Sequence, residues 1–429
     1  MNKNLVLWLP QVTIDYTFML PDYVERICGH LAKHSFFAKH HDVLQNISKL
    51  GLRQDISLRL VDAVDLGRAL EYVRMQYPGT EIAQIGGNSA IAALRGFYLA
   101  ARDRDHTIPR SGYAGIYPAS LEEFVKKQET VAPLFYKALR QVFDKRLCFE
   151  IKERPMTVAL EGHYKVIIAD GHGRTLDHID PNGNFSRYLE RLEPIVKEHA
   201  GQNVLFSFPS VPFPLDLGAK LIDQIRERFG EQALFYIGSS SFRDGSSLDA
   251  ERTEEIWNSI LKKAHILSMN ETELGDLHTV VIGKGTYQDK PIAYKLLELP
   301  TEAIKICHGA DGALMDPGPD PGRIVNAEAF RKDPAAFLDE SLRFAADGAS
   351  YGLASPSGHD ATDASVRIFS STVHHRNTER FRATFLNVLE SMPPGLIAVH
   401  TPVVARTMSA LTGVGARFDG LLATILMRT

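Results

Sequence analysis

Short apolar runs alternate with longer amphipathic stretches through the second half of this chain. Val204 to Phe208, Ala233 to Gly238 and His265 to Met269 read as strands. Leu215 to Phe229 and Ser247 to Ala264 lie between them and read as helices. Ala303 to Cys307 is a further strand, turning at His308-Gly309-Ala310-Asp311-Gly312 into Ala313 to Met315. Strands without polar alternation are buried on both faces, and their alternation with helices predicts a parallel α/β sheet. Amphipathic helices are also predicted around 334–350 and 378–390.

The first half is less regular. Leu5 to Leu9 is a buried strand ended by Pro10. Residues 22–50 and Asp65 to Tyr77 have helical periodicity, and Ile56 to Val61 and Glu81 to Ile85 read as strands. A small-residue helix runs from Gly86-Gly87-Asn88-Ser89-Ala90 through Ala101. Gly112 to Tyr117 is rich in strand formers, and Met156 to Asp170 folds back at Gly162-His163 as a hairpin.

Several segments carry candidate chemistry. Thr412-Gly413-Val414-Gly415-Ala416-Arg417-Phe418-Asp419-Gly420 is a glycine-rich turn running into the apolar stretch Leu421 to Met427. A turn opening a helix leaves unpaired N–H groups and a positive dipole end, suited to a phosphate. Asn270-Glu271-Thr272-Glu273 follows a strand; residues three apart share a helix face and suit water-mediated Mg²⁺ binding. In a parallel sheet, ligands gather beyond the carboxyl ends of the strands. Gly86-Gly87-Asn88 permits close approach of backbone to a ligand. Asp15 follows the first strand, where a carboxylate can accept two hydroxyl donors.

These segments, in this order, resemble the ribokinase superfamily of sugar and nucleoside kinases. The resemblance implies a ribokinase-like three-layer α/β sandwich with a mostly parallel central sheet and a smaller strand-rich lid. Length is similar to that of the ADP-dependent sugar kinases, which places lid insertions within about 16–55 and 100–190 of one domain spanning 1–429. The His-x-Glu pair of those enzymes is absent; the corresponding strand reads Phe235-Tyr236-Ile237-Gly238, so ATP and ADP both stay open as donor.

The resemblance implies that Asp15, Gly86, Gly87 and Asn88 hold a sugar or sugar-phosphate acceptor. It implies that Asn270, His308, Gly309 and Gly312 border the nucleotide, and that Asn270 and Glu273 hold Mg²⁺ through water. Gly413, Val414, Gly415, Ala416 and Arg417 fall on the anion hole and catalytic position. Gly413, Gly415, Phe418 and Gly420 match the family's pattern, but its proton-accepting Asp falls on Ala416. Asp419 lies about one helical turn away, too far for a general base, which works at roughly 3 Å. A packing or capping role is expected for it. Either phosphotransfer was lost naturally, or an Asp was replaced by Ala to trap a bound state; the intact surroundings favour the second. Restoring Asp at 416 is expected to raise turnover on the order of 10²–10⁴-fold.

Composition narrows the partners. A net charge of −4 with no basic run gives no footprint for nucleic acid. No apolar run is long enough to span a membrane, the N-terminus does not read as a signal peptide, and the three cysteines lack metal-ligand spacing, so a reducing cytoplasm is expected. His30 and His34 share a helix face, but no carboxylate or Cys completes a metal site there. Gly171-His172-Gly173 and Val373-His374-His375 would suit general-acid work in a non-kinase α/β enzyme. A homodimer paired through the lid is one assembly the resemblance allows. The rival reading of function is a catalytically silent kinase-like protein that binds a sugar or nucleotide.

Overall fold

The structure, a computed structural model, describes residues 4–9, 13–19, 56–60, 81–102, 109–113, 116–118, 149–151, 156–161, 165–170, 185–209, 215–239, 249–283, 290–309, 312–338, 340–341, 395–400 and 414–428. Residues 71, 74, 75, 78, 126 and 211 are described singly. The expected helices at 22–50 and 378–390, and the histidines at 30, 34, 172, 374 and 375, lie outside the described residues.

Strands β1 (Leu5–Trp8), β5 (Arg110–Tyr113), β10 (Val204–Phe208), β11 (Ala233–Gly238), β12 (Ile266–Asn270), β13 (Ile304–Gly309), β14 (Gly312–Asp316) and β15 (Ile397–His400) form one sheet. Its order is β15-β14-β13-β12-β11-β10-β1-β5. From β13 to β5 every neighbouring pair is parallel, while β14 runs antiparallel to both β13 and β15. The mostly parallel central sheet is therefore as expected.

Strand alternation splits the core in two. Leu5, Leu7, Phe206, Phe235, Leu267 and Cys307 point to one face. There they meet α2 (Ser186–Glu198), α3 (Leu215–Phe229), α4 (Ala250–Lys263), α5 (Glu271–Ile282) and α6 (Ile292–Glu298). Val6, Trp8, Leu205, Leu234, Ile266 and Ile306 point to the other. That face is covered by α1 (Asn88–Arg102), α7 (Ala327–Lys332) and α8 (Val414–Leu426). Helices on both faces of one sheet make a three-layer sandwich.

A second sheet is antiparallel throughout, in the order β3-β8-β9-β2-β4. Its strands are β2 (Thr13–Met19), β3 (Ile56–Leu60), β4 (Glu81–Gly86), β8 (Met156–Glu161) and β9 (Lys165–Asp170). The hairpin expected over 156–170 is its β8–β9 pair. A short parallel pair, β6 (Ile116–Pro118) with β7 (Phe149–Ile151), stands apart from both sheets.

Two helices carry the candidate residues to one edge of the main sheet. Ser89, in the first turn of α1, donates its hydroxyl to the Leu9 carbonyl just beyond β1. This pins the start of α1 at the carboxyl end of a parallel strand. Helix α8 lies against α1 with almost no gap: a Cβ on Gly420 would sit 2.4 Å from the Ala92 carbonyl oxygen and 2.6 Å from its Cα. Thr424 donates to the Gly420 carbonyl within α8 at 2.7 Å. Because the obstruction is backbone, no rotamer relieves it. Gly420→Ala is expected to cost ~1–3 kcal/mol by forcing α1 and α8 apart. A urea unfolding series would show it as a lower midpoint at unchanged slope; an unmoved midpoint would mean the helices slide without penalty.

Candidate functional site

The helix α8 begins at Val414, earlier than the apolar run from Leu421 marks. Gly415, Ala416, Asp419 and Gly420 are thus helical residues, not parts of a turn. Tertiary packing overrides the low helix propensity of glycine here: Ala416, Phe418, Leu421 and Leu422 are all buried against the sheet and α1.

The turn of α8 that carries Asp419 sits over β11 and β12. Tyr236 Oη donates to Asp419 Oδ1 at 2.6 Å, and Ser268 Oγ donates to the same oxygen at 2.7 Å. Both donors stand in otherwise apolar strands, on the face that α8 covers. Burial pushes the Asp419 carboxyl up to about 6, and the two hydroxyls offset part of that rise. Burial, with the Asp419 charge beside it, raises the Tyr236 phenol well above its usual value, so it stays a donor. His308 Nε2 stands 3.8 Å from Asp419 Oδ1, longer than a hydrogen bond.

His308, near the end of β13, packs its ring on Phe418 with centroids 4.6 Å apart. A Cβ on Gly415 would lie 3.2 Å from His308 Cε1, so glycine there lets the first turn of α8 rest on the imidazole. Burial lowers the His308 pKa to about 4, leaving the ring neutral at pH 7. Across the β12–β13 ladder His308 is paired with Asn270, and Gly309 is paired with Gly312 across β13–β14. Glu271 lies against Gly309, its Oε1 2.9 Å from where a Cβ would stand.

Asn270 and Glu273 close a reciprocal capping box at the start of α5. Asn270 Oδ1 accepts from the Glu273 N–H at 2.9 Å, and Glu273 Oε2 accepts from the Asn270 N–H at 2.8 Å. The box fixes both side chains at the carboxyl end of β12. Burial pushes the Glu273 carboxyl up to about 8; the nearby Asp419 and Asp276 carboxylates add to the rise, and the Asn270 N–H opposes it. A desolvated carboxyl beside two others fits a cation, which would hold it ionised. Among the described residues no three His, Cys, Asp or Glu side chains converge as direct metal ligands, so a divalent ion there would be held through water.

The expected site residues thus fall into two groups. Asn270, Glu273, His308, Gly309, Gly312, Gly415 and Ala416 converge where β12 and β13 end and α8 begins. Asp15, Gly86, Gly87 and Asn88 lie where the second sheet meets α1: Thr13 pairs with Gly86, Asp15 pairs with Gln84, Gly87 takes φ 82°, and Asn88 starts the helix, exposed. Asp15 follows the first strand as expected, and it stands inside β2. Gly413 and the side chains of Val414 and Arg417 lie outside the described residues. Sequence reasoning missed Tyr236 and Ser268 as partners of Asp419. The one signal was polarity: a hydroxyl in the middle of a strand buried on both faces.

No protein-family model matches the sequence, and no curated protein does. Among solved structures the chain is similar to a hypothetical ADP-dependent phosphofructokinase from Pyrococcus horikoshii, at 12% identity and TM-score 0.48 over 98% of each chain. It is also similar to an adenosine kinase from Trypanosoma brucei brucei, at 13% identity and TM-score 0.39 over 73% of this chain and 81% of that one. A ribokinase from Thermotoga maritima shares 15% identity at TM-score 0.33, over 55% and 64%. Likenesses this distant say nothing of activity.

The raised carboxyl at Glu273 has a consequence in pH. The folded chain holds that proton more tightly than the unfolded chain. This contribution to stability is full below about pH 4.5 and is lost as pH rises through about 8. Glu273→Gln keeps the capping acceptor and cannot ionise. Its stability relative to the parent is expected to grow between pH 4.5 and 8, at on the order of 1.4 kcal/mol per unit at most, in urea midpoints measured without divalent ions. A difference that stays constant with pH would mean that Glu273 is ionised throughout.

Proposed function

We propose that the chain is a kinase-like protein that takes a nucleotide and a small sugar-type acceptor at the carboxyl edge of its main sheet. Phosphotransfer from ATP or ADP is disabled at Ala416. What supports this reading is convergence: Asn270, His308, Gly309 and Gly415, far apart in sequence, meet at one end of β12 and β13. Those are the segments whose order resembles the sugar and nucleoside kinases.

Each part has a physical role in this reading. The first turn of α8 presents free N–H groups and the positive end of its dipole to a phosphoryl group. Gly415 lets that turn rest on His308, which is neutral and leaves the field of the dipole uncompensated. Mg²⁺, when bound through water to Asn270 and Glu273, supplies charge neutralisation for the nucleotide phosphates. Asp15 and Asn88 hold the acceptor hydroxyls, and Arg417 offers positive charge beside the anion hole. Positioning and electrostatics carry most of such a transfer. A methyl group at 416 takes no proton, so the acceptor hydroxyl is left unactivated.

The second reading, a silent protein that binds a sugar or nucleotide, is favoured by one observation: Ala416 is on the side of α8 packed into the core. The kinase reading requires nucleotide binding, while the silent reading requires binding of a nucleotide or a sugar. Isothermal titration with ADP and with ATP, each with and without Mg²⁺, is expected to show one nucleotide binding in a Mg²⁺-dependent way. Glu273→Gln should raise the Mg²⁺ needed for half-maximal binding about 10–100-fold. If neither nucleotide binds under any of these conditions, the kinase reading fails; if no sugar of a panel binds either, the silent reading fails with it.

A further inference from the structure

We infer that Ala416 and Asp419 form an exclusive pair: the first turns of α8 hold one carboxylate over the ends of β11 and β12, and with Asp419 there, position 416 must stay uncharged. The inference deepens the kinase-like reading and rests on it for its catalytic consequence only. Its structural half stands on Asp419 itself.

Residues 416 and 419 are three apart on a helix, so their Cβ atoms lie about 5–6 Å from each other on one face. Ala416 is 4% exposed and Asp419 5%. No water screens two charges placed there, and like charges at this spacing in a buried site repel strongly. The donors near the pair are already committed. Tyr236 Oη and Ser268 Oγ both point at Asp419 Oδ1. His308, the nearest imidazole, is neutral and 3.8 Å away. The titratable groups facing Asp419 among the described residues are Tyr236 from β11, His308 from β13 and Glu273 from α5. None of them supplies a positive charge at neutral pH. A second carboxylate at 416 would therefore meet no positive side chain among the described residues, next to Asp419 and near Glu273.

Asp419 is then a positioning residue. Through Tyr236 and Ser268 it fixes the turn of α8 that rests on His308, and so fixes where the free N–H groups of that helix point. The carboxylate has moved one turn along the helix, from where it would take a proton to where it holds the anion-binding turn in place. Restoring phosphotransfer needs two substitutions, not one: a carboxylate at 416 and a neutral isostere at 419. Asparagine suits 419 because its amide oxygen still accepts from Tyr236 and Ser268.

The test compares Ala416→Asp with Ala416→Asn, which match in size and differ in charge. Each is made in the parent and in the Asp419→Asn background, and urea unfolding is read at pH 8 without divalent ions. In the parent, Ala416→Asp should lower the folding equilibrium constant at least about tenfold more than Ala416→Asn. In the Asp419→Asn background that gap should close by most of its size. An equal gap in both backgrounds, or no gap in either, would overturn the pair. So would failure of every Ala416 variant to fold in both backgrounds, since size alone would then exclude larger residues.

Turnover over a sugar and nucleoside panel, with ATP and ADP offered separately, supplies the second readout. It should appear in Ala416→Asp combined with Asp419→Asn and not in Ala416→Asp alone, a pattern that a merely structural Asp419 would not produce. Charge coupling without any turnover in the double variant leaves the pair standing and overturns the phosphotransfer reading. Equal turnover in the single and double variants does the reverse.

Discussion

The buried carboxylate of Asp419 is the constraint on which the functional edge of this protein depends. An ionisable group in an apolar layer is costly unless its lone pairs are filled. Two hydroxyls, from neighbouring strands, fill one of its oxygens. Those bonds reach 183 and 151 residues along the chain. They tie the start of α8 to the sheet at one rotation and one height. Hydrophobic contact alone would hold α8 on the sheet but would let it turn or slide, since apolar burial has no direction.

A second constraint works from the side. Gly420 brings α8 into backbone contact with α1, and Ser89 fastens the first turn of α1 to the end of β1. The two helices therefore start at the same edge of the sheet, each with its positive end facing outward. Helix α5 adds a third start at the end of β12, closed by its own capping box. Three helix N-termini around one edge make a region of positive potential from backbone dipoles. The desolvated Glu273 sits in the same place with the opposite preference, for positive charge beside it.

Much of this architecture could be read from apolar runs. Leu5 to Leu9, Val204 to Phe208 and Ala233 to Gly238 each have no polar alternation, and each is a parallel strand with both faces covered. Asn270 and Glu273 were legible because a capping box has a fixed spacing. Other features were hidden for identifiable reasons. The start of α8 was obscured because Gly415 and Gly420 are there for close contact, with His308 and with Ala92, and local propensity does not report such contacts. The strand that carries Asp15 was not read, although Thr13 to Phe18 alternates with period two. Asp419 was visible, but its partners were not, since nothing in Tyr236 or Ser268 names a residue on a helix so distant in the chain. The place of the candidate site was therefore legible, while the interaction that orients α8 was not.

The position of α8 in the chain bears on how the protein is made. Val414–Leu426 follows every other described element, yet it packs at the centre of one helical layer, against β12 and α1. A ribosome adding residues from the N-terminus produces β1, β5 and β10 to β14 well before this helix. Until α8 emerges, that face of the sheet has α1 and α7 against it but lacks the helix that covers Tyr236 and Ser268. A nascent chain thus carries a partly covered apolar face until α8 is made, the kind of surface that recruits chaperones or aggregates. The last helix acts as a latch: its arrival completes one core layer and the candidate site in the same step.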